Sequence, residues 1–327
     1  MRVTTSECGM ALISVLLLVA VMGTLTAATL EVMNRSVAMA SNGRSAMQAR
    51  HHMRAMEHLA SARLVDLTAQ YPDRLTLAGG WADTPIVVPT DDGSVAVTLS
   101  DGSHCFNVNA VVGAAQGGVR NTDPHGLEHF IGLARATGIR ERTARNLAFA
   151  LADFIDSDTV PQSGGGEDEE YRGGDVSYRT GNVLISDIGE LAAIKGMTPD
   201  ILARLSPYLC AMPHSDMVRV NVNTLAESDA PLIAMLAPGQ LTPRRARQAI
   251  AARPAAGWAD IAAFWAVPSM SGISAASSAQ RSLDVKSDLF LMGMVVDDAG
   301  SIHESRSLLR IKAGRATVIE RHWGDAL

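Results

Sequence analysis

Three kinds of hydrophobic pattern follow one another along the chain. The first is a continuous run: from Met10 to Leu30, 21 residues carry no charge and are mostly apolar, and Glu31 ends the run. A helix rises about 1.5 Å per residue and a bilayer core is about 30 Å thick, so this segment is long enough to span a membrane. The second pattern is a stripe. No proline occurs between Glu31 and Gln70, and Pro72 closes the stretch. Met53, Met56, Leu59, Ala60, Leu64 and Leu67 recur at three- and four-residue spacing, which predicts one apolar helix face. Ser41-Asn42-Gly43 is the weak point, where a bend or break is expected. The alternative is a membrane helix followed by a separate amphipathic helix. Both readings put the stripe against a sheet.

The third pattern is strand-like. Ile86-Val87-Val88 and Val95–Leu99 read as short strands, bounded by Pro89 and Asp91-Asp92-Gly93, and Asp101-Gly102 is a turn signal. Cys105–Asn109 alternates apolar and polar. Strands resume at Leu289–Val296, Ile302–Ile311 and Ala316–Trp323, with turns at Asp297–Gly300 and Ala313-Gly314. Between the two strand regions the character is helical: Leu127–Ala136, Arg142–Ile155, Ile188–Ile194, Pro199–Leu209, Pro231–Leu236, Pro243–Ala252 and Trp258–Trp265. Two of these start with Thr-Pro, a cap followed by a first-turn proline. Ser269–Ser282 reads as a Ser-rich flexible linker back to the sheet. The prediction is an α+β fold. A long N-terminal helix packs on an antiparallel sheet formed from residues 31–112 and 286–327, and a large all-α domain is inserted at 113–285.

The segment before the apolar run changes the picture. It is nine residues long, polar, and ends in Gly9. A secretory signal has a shorter apolar region followed by a small-x-small cleavage site. Here the plausible cut lies before the run, so the helix of residues 10–30 stays with the mature chain. This arrangement resembles the leader, here residues 1–9, of type IV pilins and type II secretion pseudopilins; an ordinary N-terminal anchor is the alternative. The resemblance implies that a prepilin peptidase cuts after Gly9 and methylates Met10. Most of those proteins carry Glu at the fifth mature position, where this chain has Ser14. An uncompensated Glu in lipid is costly, so a subunit with no neighbour above it can dispense with one. Loss of that Glu marks the K-type minor pseudopilins.

Composition adds limits. The 327 residues, 47% hydrophobic, suffice for a sizeable core and about two domains. A net charge of −6 argues against a nucleic-acid surface. Of three cysteines, Cys8 lies in the leader. Cys105 and Cys210 remain as an even pair in a chain whose head, by that resemblance, would face the periplasm, where disulfides persist, and they are expected to be bonded. Two buried free thiols are the alternative.

Five further blocks carry a closer resemblance. Cys105-Phe106-Asn107-Val108-Asn109-Ala110 is similar to a CFNLN segment, and Asp153-Phe154-Ile155-Asp156-Ser157-Asp158 to D-W-x-D-x-D. Gly166-Glu167-Asp168-Glu169-Glu170-Tyr171 is similar to G-A-E-D-x-x-Y. Lys195–Pro199 and Val220–Thr224 are similar to K-G-(M/I)-T-P and (I/V)-N-V-N-T. In order and extent these blocks resemble the type II secretion system protein K family. The resemblance implies a pilin-like fold. It also implies a non-enzymatic structural subunit anchored once in the inner membrane, head in the periplasm, at the pseudopilus tip with the I and J minor pseudopilins.

The densest chemistry is acidic. Asp153, Asp156, Asp158, Glu167, Asp168, Glu169, Glu170 and Asp175 lie within 23 residues, with Arg172 the lone base. Calcium takes six to eight hard oxygens and suits such a loop, although no EF-hand spacing is present. A solvated acidic loop is the alternative. The family resemblance implies structural calcium here, with Glu167 and Asp168 as first candidates and Asp156 and Asp158 next. No catalytic residue is assigned, because nothing nearby looks like a nucleophile or an acid/base pair. Two other motifs compete. His125-Gly126-Leu127-Glu128-His129 matches H-x-x-E-H, the zinc-peptidase pattern; its bland reading is two surface histidines near a helix start. Ile194-Lys195-Gly196-Met197, with Arg244, Arg245 and Arg247, resembles a DNA-binding helix-hairpin-helix. A DNA-binding pilin-like tip protein is therefore the alternative function.

Overall fold

The structure is a computed structural model that describes residues 6–173, 177–274 and 277–324. The start of the leader, Gly174, Asp175 and part of the Ser-rich segment lie outside the described residues.

Helix α1 runs unbroken from Ser6–Gln70, about 100 Å at 1.5 Å per residue. It does not break at Ser41-Asn42-Gly43. One Gly and one Asn cost a helix only about 1–2 kcal/mol, and the next turns are already fastened to the sheet. Ser45 Oγ lies 3.0 Å from His303 Nε2, and Gln48 Nε2 donates to Asp92 Oδ2 at 3.4 Å. From Met10 to Arg44 the helix is exposed throughout, and its first part is long and apolar enough to cross a membrane. Beyond that, Ala49, Met53, Ala60, Leu64 and Leu67 are buried and Met56 is half-buried. Leu59 departs from the predicted stripe and is exposed, being one position round from Ala60.

The helix packs on a five-stranded antiparallel sheet of strands β1 (Ile86–Thr90), β2 (Gly93–Asp101), β7 (Leu289–Asp298), β8 (Ser301–Lys312) and β9 (Arg315–Trp323), in that spatial order. Val95, Val97 and Leu99 face Val296, Met294 and Met292 across the β2–β7 ladder and meet α1 in one core. The β7–β8 and β8–β9 turns place Ala299-Gly300 and Ala313-Gly314 at positive φ, the backbone that matches strand twist in two-residue hairpins. Glu57, buried on α1, accepts from Arg321 Nη2 and Nε at 2.6 and 2.9 Å and from Ser307 Oγ at 3.1 Å, tying helix to sheet.

Strands β2 and β7 are direct neighbours, with Asp101 opposite Phe290. All the chain between them therefore leaves and re-enters at one sheet end, where Gly102 N–H donates to Leu289 O at 3.0 Å. That chain comprises β3 (Phe106–Asn107), α2 (Pro124–Ala136), α3 (Glu141–Ile155), α4 (Asp168–Arg172), α5 (Pro199–Leu205), β4 (Leu209–Cys210), β5 (Val220–Asn221), α6 (Ala230–Ala234), α7 (Pro243–Ala251), α8 (Ile261–Trp265), α9 (Ser277–Arg281) and β6 (Leu283–Asp284). Three expectations are corrected. The insertion begins near Cys105, not Gly113, because Phe106, Val108 and Ala110–Val112 belong to its core, and β3 gives way to a 3-10 turn. It is mainly helical rather than all-α, since β3–β4 and β5–β6 form two short parallel pairs. The supposed flexible exit linker carries structure of its own, with Met270 buried and α9 formed.

Buried asparagines replace missing backbone partners in this irregular core. Asn107 Nδ2 donates to His214 O and Asp216 O, and Asn109 Nδ2 to Ile185 O and Met212 O. Asn223 exchanges both bonds with Trp258. A buried amide must be satisfied, so these side chains specify which loops meet. The Cys105–Cys210 disulfide is formed beside them. Asp101 accepts from Ser103, Thr224 and Ser287 at the junction between insertion and sheet.

Candidate functional site

The acidic loop is organised by a carboxylate that lies under it. Asp153, fully buried in the last turn of α3, accepts from Gln162 N and Gly166 N at 3.0 and 2.9 Å and from Gln162 Nε2 at 3.1 Å. Those bonds pull the chain after Asp158 back across α3. A Cβ on Gly165 would stand 2.0 Å from Asp153 Oδ2, so only glycine permits the approach. Lys195 closes the loop from the other side, donating through Nζ to Gly165 O at 2.9 Å and pairing with Glu170 at 3.1 Å. Tyr171 packs edge-on against Phe154 and accepts from Lys195 N.

Folded this way, the loop brings Asp156, Asp158 and Glu167 together, with one carboxylate oxygen from each within 4.8 Å of the others. Asp156 and Glu167 are buried and Asp158 is exposed, which leaves the cluster open on one side. Asp156 Oδ1 and Glu167 Oε1 are enclosed and have no hydrogen-bond partner. Their other oxygens take long contacts from Thr122 at 3.4 Å and Thr180 at 3.5 Å. Burial, with the charges of Asp153, Asp156 and Asp158 adding to it, pushes the Glu167 carboxyl up to about 7. Burial, with the charges of Asp158 and Asp153 adding to it, pushes the Asp156 carboxyl up to about 6. Three carboxylates converging without a cation are thus in a strained electrostatic state.

Asp168 does not join them. It starts α4 and is held by Arg172 at 2.7 Å, by Arg179 at 3.8 Å and by the Thr180 N–H and hydroxyl at 3.0 Å. Burial opposes its ionisation, but the Thr180 bonds and the two arginines outweigh that and hold its carboxyl low. Asp153, Gln162 and Lys195 are the positioning residues that sequence reading left without a role. The only sequence signal for them is the Gly164-Gly165-Gly166 run and the Lys-Gly turn.

The competing motifs are otherwise employed. His129 is buried, with Nδ1 lacking a partner, and burial, aided by His125, pushes its imidazole down to about 4. It is therefore not the surface residue expected. His125 and Glu128 are exposed, and no third metal-ligating side chain joins the histidines among the described residues. Gly126 seats α2, since a Cβ there would lie 1.7 Å from Ala110 O. In the hairpin-like turn, Ile188–Ala193 is a 3-10 helix and Lys195 is turned into the acidic loop. Arg245 donates to Ser269 O and Ser271 O at 2.7 and 2.6 Å; Arg244 and Arg247 are exposed.

Known proteins share this architecture. Two profiles of type II secretion system protein K match residues 104–214 and 220–286, together more than half the chain and almost the whole insertion. Type II secretion system protein K of Pectobacterium carotovorum subsp. carotovorum is 32% identical over 97% of this chain and 96% of its own length. That of Klebsiella pneumoniae is 33% identical with the same coverage. A solved chain from the GspK-GspI-GspJ complex of enterotoxigenic Escherichia coli superposes with a TM-score of 0.69 at 26% identity, over 85% of this chain and 99% of that one. A membrane-length helix laid on an antiparallel sheet, an insertion between two paired strands, and full-length similarity all point one way: this chain belongs to the type II secretion system protein K family.

Proposed function

We propose that this chain is a minor pseudopilin that caps a periplasmic fibre and starts its assembly with I and J companions, for protein export across the outer membrane. The observation that carries this reading is the position of the insertion. It projects from one sheet end as a bulky second body, which suits a subunit that accepts neighbours below it and blocks addition above. The likeness to a chain solved in complex with GspI and GspJ supports the choice of companions. Ser14 fits the same role: its hydroxyl donates to Met10 O within its own helix at 2.8 Å, so it needs no partner in lipid. In this reading α1 crosses the inner membrane once and the head stands in the periplasm. Prepilin peptidase removes residues 1–9 after Gly9 and methylates Met10.

The acidic cluster is read as a structural calcium site held by Asp156, Asp158 and Glu167. Two enclosed carboxylate oxygens without partners, an all-oxygen donor set and an open side for water suit a hard cation. The ion would neutralise the converging charges and lock the loop to α3; no reaction is ascribed to it.

The test is size-exclusion chromatography of the detergent-solubilised full chain with its I and J counterparts from the same organism. Co-migration as a 1:1:1 complex is expected, and three separate peaks would refute the reading.

A further inference from the structure

A cleft of about 250 Å³ opens at the start of α2, away from the acidic loop, and Asp123, His125, His129, Asp216 and Arg281 are among the residues that line it. His125 and His129 stand four residues apart on α2, the spacing at which two imidazoles share a helix face and can hold one metal ion. His129 is 6% exposed, and its Nδ1 is enclosed with no hydrogen-bond partner. Buried polar atoms are ordinarily bonded, so an imidazole left in this state needs a reason. Nε2 is neither enclosed nor bonded among the described residues, which leaves it as the nitrogen that meets the cleft. Burial pushes the ring's titration down to about 4. At neutral pH no proton therefore competes for that lone pair.

The rest of the lining favours a cation. The first N–H groups of α2 are already taken, since Asp123 Oδ1 accepts from His125 N and Gly126 N at 2.8 and 2.9 Å. An anion would find them spent. Two carboxylates, Asp123 and Asp216, outnumber the one cationic side chain, Arg281. Asp216 comes from a separate segment whose backbone is fixed, its carbonyl accepting from Asn107 Nδ2 at 2.9 Å. Its side chain is 84% exposed and makes one long contact, 3.9 Å, to His214 Nδ1. The donors do not converge on one point as the acidic cluster does. Closing the site takes a turn of the exposed His125 and Asp216 side chains toward the fixed His129.

We propose that this cleft binds one divalent transition-metal ion of the zinc class through His125 and His129, with Asp216 supplying a carboxylate. Imidazole nitrogens select zinc and its neighbours over calcium, which takes oxygen donors. The ion would pin the start of α2 to the segment around Asp216. Its role is structural, because Glu128 is exposed and does not line the cleft, so no base faces the metal. The proposal rests on neither the fibre-subunit nor the calcium reading.

The test is titration of the chelator-stripped, detergent-solubilised full chain with cobalt, read by visible absorption, followed by displacement with zinc, all in excess calcium. One saturable equivalent is expected. His125→Ala, at an exposed position, should weaken it by ~10-fold or more, the scale on which even groups that merely support a ligand act. Asp216→Asn should weaken it less, and His51→Ala/His58→Ala on α1 should leave it unchanged. Absence of saturable binding, or binding that survives His125→Ala, would overturn the proposal. Cobalt binding that falls as calcium is raised would assign the ion to the acidic cluster and overturn it as well.

Discussion

Replacing Glu167 by Gln separates a cation site from a solvated acidic loop, because the two predict opposite signs. Without a cation, Glu167 is an enclosed carboxylate facing Asp156 and Asp158, with one oxygen unpartnered. Its rise from 4.5 to about 7 measures how poorly the charged form is accommodated. Taken whole, that rise would correspond to about 3 kcal/mol at 1.36 kcal/mol per pKa unit. The open side of the cluster screens part of it, which leaves about 1–2 kcal/mol. Glu167→Gln removes the charge and keeps the shape. In EGTA at pH 8 the substituted protein should therefore melt a few degrees higher than the original. In excess calcium the order reverses: a cation at one hundred times its Kd adds about 2.7 kcal/mol to the original protein, and Gln surrenders most of that. The assay is thermal unfolding of the detergent-solubilised chain by circular dichroism, with EGTA and with calcium. Equal responses of both proteins to calcium, or a lower Tm for Glu167→Gln in EGTA, would refute the argument.

Gly9→Val should leave the leader attached, read as a slower band on an immunoblot of membranes; normal processing would contradict the pilin-type signal. Cys105→Ala/Cys210→Ala should lower stability by about 2–5 kcal/mol, measured by urea unfolding. Reductant should then shift the original protein and leave the double variant unmoved. His129 is held neutral by burial, with a folded value near 4 against 6.5. Its contribution is complete above pH 6.5 and is lost as pH falls from there toward 4, by no more than about 3 kcal/mol. His129→Phe should flatten that part of the stability-versus-pH curve, and an unchanged curve would count against a buried neutral imidazole.

Local pattern was enough for α1, the five strands of the main sheet and most of the insertion's longer helices. The uncharged run and the proline-free stripe define α1, because a helix repeats its own geometry every few residues. The alternating strands and the Ala-Gly turns define both halves of the sheet, because side-chain alternation and positive φ are local properties. Even the insertion shows, as helical periodicity standing between two strand regions. Order along the chain could not say that β2 and β7 are neighbours, which is what makes the insertion one body hung from one sheet end. Nor could it separate the carboxylates. Asp168 and Glu167 are adjacent in sequence, yet α4 begins between them and turns Asp168 toward Arg172, Arg179 and Thr180. Asp156 and Glu167 meet because Asp153 captures the backbone at Gln162 and Gly166. Similarly, Leu59 lies outside and His129 inside because burial depends on what packs against a helix, not on the helix alone. The sequence determined periodicity, capping and charge, which act over a few residues. The tertiary structure decided which carboxylates converge and which faces stay free, because those depend on contacts between distant segments.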